Sequence, residues 1–235
     1  MNKIAIITGG TKGIGRAIIY KFVKNGFDII TCSRSQKDLE NLKYEVEQVH
    51  PESTIHIKKA DLSIKSEVMD FAAYCMDIKN VIELLINNTG VFIPGQISNE
   101  PEGNLEIMMN TNLYSAYHLT RGILPSMMKI KNGYIFNICS IASIMPYANG
   151  GSYSISKYAM LGMTKVLREE MKEHGIRVTA VIPGATLTAS WDGVDLPESR
   201  FIKAEDVADS VFGAYCLSGN SVVEEIVIRP QMGDI

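Results

Sequence analysis

The chain has 235 residues, of which 46% are hydrophobic and 21% charged, with a formal net charge of -3. That balance excludes a disordered chain and a broadly basic nucleic-acid-binding surface, and no apolar run approaches the roughly 18 residues that a membrane span needs. The four cysteines, Cys32, Cys75, Cys139 and Cys216, show neither metal-ligand spacing nor a disulfide pattern, and the N-terminus lacks a signal-peptide core, so one cytoplasmic domain over residues 1–235 is expected, with no metal site.

Apolar runs of strand length alternate with helix-period segments along the whole chain, the form taken by repeated βαβ units feeding a parallel sheet. The first strand is predicted over 3–8. It leads directly into Thr8-Gly9-Gly10-Thr11-Lys12-Gly13-Ile14-Gly15, and a helix follows over 14–24. Glycines permit a tight turn and close approach of the backbone, while a helix start presents unpaired N–H groups to a pyrophosphate. Gly9, Thr11, Lys12, Gly13, Ile14 and Gly15 are therefore candidate cofactor-binding residues. The spacing Gly-x-x-x-Gly-x-Gly departs from the Gly-x-Gly-x-x-Gly fingerprint, and an ordinary strand-to-helix turn is the alternative. Gly26 stands where a left-handed residue would end the helix. The second strand, over 28–33, ends Thr31-Cys32-Ser33-Arg34, where NAD-preferring proteins carry an acid. Ser33 and Arg34, with Lys12, suit a 2′-phosphate instead, which predicts NADP(H), unless both cations are solvated surface charges.

A helix over 36–49 begins after the candidate N-cap Ser35, and one over 64–76 after Ser63, with a strand over 54–60 between them. A strand over 82–87, a helix over 104–128 and a strand over 133–139 follow. The next helix, over 152–174, is closed by Gly175; a strand over 176–182, an irregular stretch over 186–203, a helix over 204–216 and a strand over 223–228 complete the chain. The expected fold is a single-domain α/β, Rossmann-type, doubly wound parallel sheet of seven strands, buried on both faces. The stretch 186–203 is a candidate lid. Tyr153 and Lys157 are four apart on one face of their helix. A free phenol has a pKa of about 10; a neighbouring ammonium and a cationic nicotinamide favour the phenolate and are expected to bring it toward the working range.

Taken in order, Thr8 to Gly15, Ala60-Asp61-Leu62, Asn87-Asn88-Thr89-Gly90, Asn112, Ser140, Tyr153 with Lys157, and Pro183-Gly184 resemble the short-chain dehydrogenase/reductase family along nearly the full chain. The resemblance implies that Ser140 helps hold a substrate carbonyl and that Tyr153 donates the proton to it. Lys157 would bind the nicotinamide ribose and lower the Tyr pKa, and Asn112 would hold a water in the proton relay. It also implies that Asp61 and Leu62 border the adenine, that Asn88 and Gly90 line the cofactor groove, and that Pro183, Gly184, Thr186 and Thr188 cover the nicotinamide side. Thr89 departs from the alanine usual in the family, and its hydroxyl needs a partner or water.

Met109-Asn110-Thr111-Asn112-Leu113, the run from Pro183 to Trp191 and the tail from Val222 to Ile235 are similar to bacterial sepiapterin reductases. That similarity implies a carbonyl on a flat, polar heterocycle, on which Trp191, the only tryptophan, would stack unless it anchors its loop to the core. Rival readings are a dehydrogenase of a hydroxy amino acid or small alcohol, which a basic residue such as Arg229 in the pocket would favour, and a nucleotide sensor without turnover. His50, His56, His118 and His174 read as surface or core histidines. Helices 104–128 and 152–174 pair across a twofold axis in the family, which implies a homodimer or homotetramer. The expected partner is a small-molecule carbonyl or alcohol substrate, with no nucleic acid and no membrane.

Overall fold

The computed structural model describes residues 2–79, 81–191 and 193–235. Seven strands, β1 (Lys3–Thr8), β2 (Phe27–Ser33), β3 (Ile55–Lys59), β4 (Leu84–Asn87), β5 (Gly133–Ile138), β6 (Ile176–Pro183) and β7 (Glu225–Ile228), form one sheet in the order β3-β2-β1-β4-β5-β6-β7. Every neighbouring pair is parallel. The expected seven-stranded, doubly wound α/β architecture is therefore present.

Strand side chains alternate between faces, so each strand feeds two cores. Ala5 and Ile7 of β1 join Ile18, Ile19 and Phe22 of α1 (Gly13–Val23) and Val207 and Val211 of α7 (Ala204–Tyr215) on one face. Leu42 and Val46 of α2 (Gln36–Val49) extend that layer. Ile4 and Ile6 face the other way, onto Val68 and Phe71 of α3 (Lys65–Ile78), Leu119 and Ile123 of α5 (Ser115–Ile130) and Leu167 of α6 (Gly151–Met171). Covering both faces explains why the strands read as near-continuous apolar runs. Fully burying a side chain such as Phe22 contributes about 1.5–3 kcal/mol.

Three local expectations met different outcomes. Gly26 and Gly175 adopt positive φ, +78° and +69°, as their positions after helices require. Ser35 caps α2 by accepting from the Asp38 N–H at 3.2 Å, but Ser63 does not cap α3. Its hydroxyl and N–H instead donate to the Asp61 carboxylate at 2.7 and 3.0 Å, which tightens the turn and delays the helix start until after Ile64. The long helix predicted over 104–128 is α4 (Asn104–Met109), a π-helical turn over Asn110–Tyr114, and then α5. A π turn inserts one extra residue into the helical repeat, and hydrophobic periodicity passes over it.

The order of the strands reverses between β1 and β4, whose carboxyl ends therefore open a crevice. Asn88, just past β4, spans it by donating Nδ2–H to the Thr8 carbonyl at 2.9 Å and the Gly9 carbonyl at 3.1 Å. The Thr8 hydroxyl accepts from the Asn88 and Thr89 N–H groups at 2.9 and 3.0 Å.

Candidate active site

A cavity of about 970 Å³ runs along this crevice, with Ser33, Arg34, Asp61 and Leu62 among its lining residues at one end and Ser140, Tyr153 and Trp191 at the other. The glycine turn forms its floor. Gly9 and Gly13 have φ of +65° and +52°, and a Cβ on Gly15 would lie 2.4 Å from the Gly9 carbonyl oxygen and the Asn88 amide nitrogen. The turn is thus as tight as the glycines suggested, with the start of α1 aimed along the groove. Thr11, Lys12, Ile14, Gly90, Pro183, Gly184, Thr186 and Thr188 also line the cavity. Gly15 does not. It packs beneath the turn against Gly9 and Asn88, shaping the floor without facing the groove.

The two cations expected at the adenosine end differ in state. Lys12, with 73% of its side chain exposed, lies 3.6 Å from the Asp38 carboxylate. Arg34 lines the cavity and makes no ion pair or hydrogen bond among the described residues. Ser33 accepts weakly from the Thr11 hydroxyl at 3.4 Å and from the Ser35 N–H at 3.3 Å.

At the opposite end, β5 delivers Ser140 and the first turn of α6 delivers Tyr153. Ser140 caps the short turn over Ile141–Ser143 by accepting from the Ala142 N–H at 3.2 Å. Lys157 is buried, 5% exposed, and donates from Nζ to the Ile138 carbonyl at 2.9 Å, with Nζ 5.8 Å from the centre of the Tyr153 ring. Burial pushes the Tyr153 phenol above its ordinary value; a hydrogen bond with Ser140 opposes that shift, and the Cys139 thiol beside it adds to it. Burial also holds Lys157 below the ordinary lysine range. In the cofactor-free protein the phenol is thus shifted upward by burial, while the acidification expected of Tyr153 involves the bound nicotinamide as well as Lys157.

Asn112 lies behind the groove wall. It is 1% exposed and does not line the cavity. Its Oδ1 accepts from the Val91 N–H at 2.7 Å, and its Nδ2 donates to the Val91 carbonyl at 3.0 Å and the Ser156 hydroxyl at 2.9 Å. With those bonds the side chain fastens the segment after β4 to α6. Its neighbour Thr111 lines the cavity instead.

Sequence reasoning missed several groups at the substrate end. Phe92 packs edge-on against Tyr153, with ring centres 4.9 Å apart. Tyr147 lines the cavity beside it, and burial pushes its phenol up to about 12. Asp234 also lines the cavity, 50 positions beyond Gly184 in the chain, and is held by Arg229 through Nη2–Oδ2 at 2.5 Å and Nε–Oδ1 at 3.3 Å. Loop residues like these carry no periodicity that would mark them. Trp191 lines the cavity while its ring packs against Phe201 at 5.1 Å. The candidate lid is pinned at its base, where Leu187 donates to the Ile202 carbonyl at 2.8 Å and Ile202 to the Ala185 carbonyl at 2.9 Å.

The residues present fit a dinucleotide. The glycine floor, the unpaired guanidinium at the adenosine end and the phenol and amine at the other end all line one groove of about 970 Å³. Chain comparisons agree. Residues 3–198 match the family model described as short chain dehydrogenase. A sepiapterin reductase of Chlorobaculum tepidum is 33% identical over 100% of this chain and 99% of its own length. An oxidoreductase of Staphylococcus epidermidis is 26% identical over 97% of each chain. Among solved structures, a metagenomic short-chain oxidoreductase in complex with NADP superposes with a TM-score of 0.85 at 28% identity, covering 97% of both chains. L-sorbose reductase from Gluconobacter frateurii, complexed with NADPH and L-sorbose, shares the fold with a TM-score of 0.89 at 24% identity, covering 98% of this chain and 96% of its own.

Proposed function

The chain belongs to the short chain dehydrogenase family of oxidoreductases, and from that premise we propose that it is an NADP(H)-dependent carbonyl reductase whose substrate is a flat, uncharged heterocyclic ketone of the sepiapterin kind. One observation carries the reading: Tyr153 and Ser140 line the cofactor groove together with Phe92, Tyr147 and Trp191.

In this reading the N–H groups at the start of α1 hold the pyrophosphate and Arg34 pairs with the 2′-phosphate. Lys157, already fixed by the Ile138 carbonyl, has further N–H bonds to give to the nicotinamide ribose. When bound, NADPH supplies a hydride to the carbonyl carbon. Ser140 donates a hydrogen bond to the carbonyl oxygen, and the Tyr153 phenol transfers its proton to that oxygen, completing the alcohol.

The pocket also bears on the substrate. Its cations are Lys12, Arg34 and Lys157 among the described residues, all assigned here to the cofactor, and Arg229 does not line it. A substrate carboxylate would find no counter-ion there and would face Asp234, which disfavours a hydroxy amino acid. The sepiapterin reductase relative and the three aromatic rings support a pteridine. Exposed apolar side chains at Ile107, Tyr114 and Tyr117, and at Ile155, Tyr158 and Val166 of α6, support a homodimer or homotetramer.

Loss of NADPH absorbance on adding sepiapterin is the direct test. Trp191→Ala is expected to raise the Michaelis constant for it about two- to tenfold by removing ring stacking, while Trp191→Phe keeps it near the wild-type value. No NADPH oxidation by the wild type with sepiapterin would overturn the substrate assignment and leave family membership standing.

A further inference from the structure

The helix that carries Tyr153 has no cap of its own. Its N-cap is Gly150, which has no side chain to accept from the first N–H groups of α6. The segment between β4 and α4 makes up for this from outside the helix. Gly95 and Gly150 form an isolated parallel bridge, in which Gly95 donates to the Asn149 carbonyl and Gly151 donates to the Gly95 carbonyl, both at 3.0 Å. Gln96 donates from Nε2 to Asn149 Oδ1 at 3.0 Å and so braces a residue with φ of +65°. Glu100, whose N–H donates to the Gln96 carbonyl at 2.8 Å, turns its carboxylate to the first turn of α6 and accepts from the buried Ser152 hydroxyl. The approach is close: a Cβ on Gly151 would sit 2.9 Å from the Gly95 carbonyl oxygen and 3.4 Å from Glu100 Oε2. The same segment places Phe92 edge-on against Tyr153.

We propose that Glu100 is a positioning residue for Tyr153, pinning the uncapped first turn of α6 through Ser152 from a strap formed by residues 92–100. A carboxylate at a helix start also complements the positive end of the helix dipole. Tyr153 is the residue next to Ser152, so a shift of this turn moves the phenol relative to the carbonyl it protonates. Misplacement by about 1 Å is enough to cost up to about a hundredfold in rate. The proposal rests on the assignment of Tyr153 as proton donor.

The test compares Glu100→Ala, Glu100→Gln, Ser152→Ala and Tyr153→Phe in the full chain, measuring kcat with sepiapterin or another carbonyl that oxidises NADPH, the NADPH dissociation constant by fluorescence, and amide exchange of residues 150–154. Glu100→Ala and Ser152→Ala are expected to lose about tenfold in kcat with NADPH affinity within about twofold of wild type and faster exchange over 150–154. Glu100→Gln still accepts from Ser152 and should keep kcat within about threefold. If Glu100→Ala loses NADPH binding because it does not fold, Ser152→Ala carries the same expectation. Unchanged exchange over 150–154, or an unimpaired kcat in Glu100→Ala beside an inactive Tyr153→Phe, overturns the strap alone. Equal loss in Glu100→Gln and Glu100→Ala also overturns it. Near-wild-type turnover in Tyr153→Phe overturns the assignment on which it rests.

Discussion

Tyr153→Phe is expected to lower turnover at least about a hundredfold while leaving NADPH affinity nearly unchanged. The ring stays, with its edge-on contact to Phe92, and so does the Lys157 bond to Ile138, so the groove keeps its shape. Only the proton and its donor oxygen are removed. The pH dependence supplies an independent check. Carbonyl reduction needs the neutral phenol, so its rate is present below the Tyr153 pKa and lost as pH rises through it; alcohol oxidation needs the phenolate and gains over the same range. Because burial raises this pKa in the cofactor-free protein, the limb lies on the alkaline side of an ordinary phenol in kcat/KM for reduction. Steady-state rates across pH in both directions should show mirror-image limbs that vanish from the residual activity of Tyr153→Phe.

Arg34→Asp is expected to weaken NADPH binding by about a hundredfold or more and NADH binding by only a few-fold. The two candidate cations are not equivalent: Lys12 is exposed and already shares its charge with Asp38, whereas Arg34 has no competing partner among the described residues. A guanidinium pairs with a phosphate in two parallel hydrogen bonds, a stronger arrangement than a single ammonium contact. The substituted carboxylate would repel a 2′-phosphate yet accept from the free 2′-hydroxyl of NADH. Fluorescence titration with both nucleotides checks this; equal weakening of the two would show that Arg34 does not read the phosphate.

How much of this could be read from the sequence depended on the range of the interaction concerned. The βα alternation, the glycine turn and the Tyr153–Lys157 pair rest on contacts within a few residues, and each left its pattern in the chain. The π turn around Asn112 left none, since one inserted residue is lost in the periodicity of a long helix. The fate of the Asn112 amide was equally hidden, because Val91 and Ser156 are 21 and 44 positions away. The raised phenol of Tyr153 belongs to the same class. Spacing placed an amine one turn along the helix, but the burial that raises the phenol is supplied by elements from across the chain. Likewise the link between Glu100 and Ser152 joins segments 52 positions apart, and neither has a local reason to mark it.

The Arg229–Asp234 pair folds the last residues back against Gly184, so that Asp234 and Ile235 both form part of the cavity wall. Anything fused after Ile235, such as an affinity tag or a fluorescent reporter, would emerge from the wall of this cavity. Preparations intended for activity screening should therefore carry their tag ahead of β1, at the amino ends of the strands, opposite the crevice.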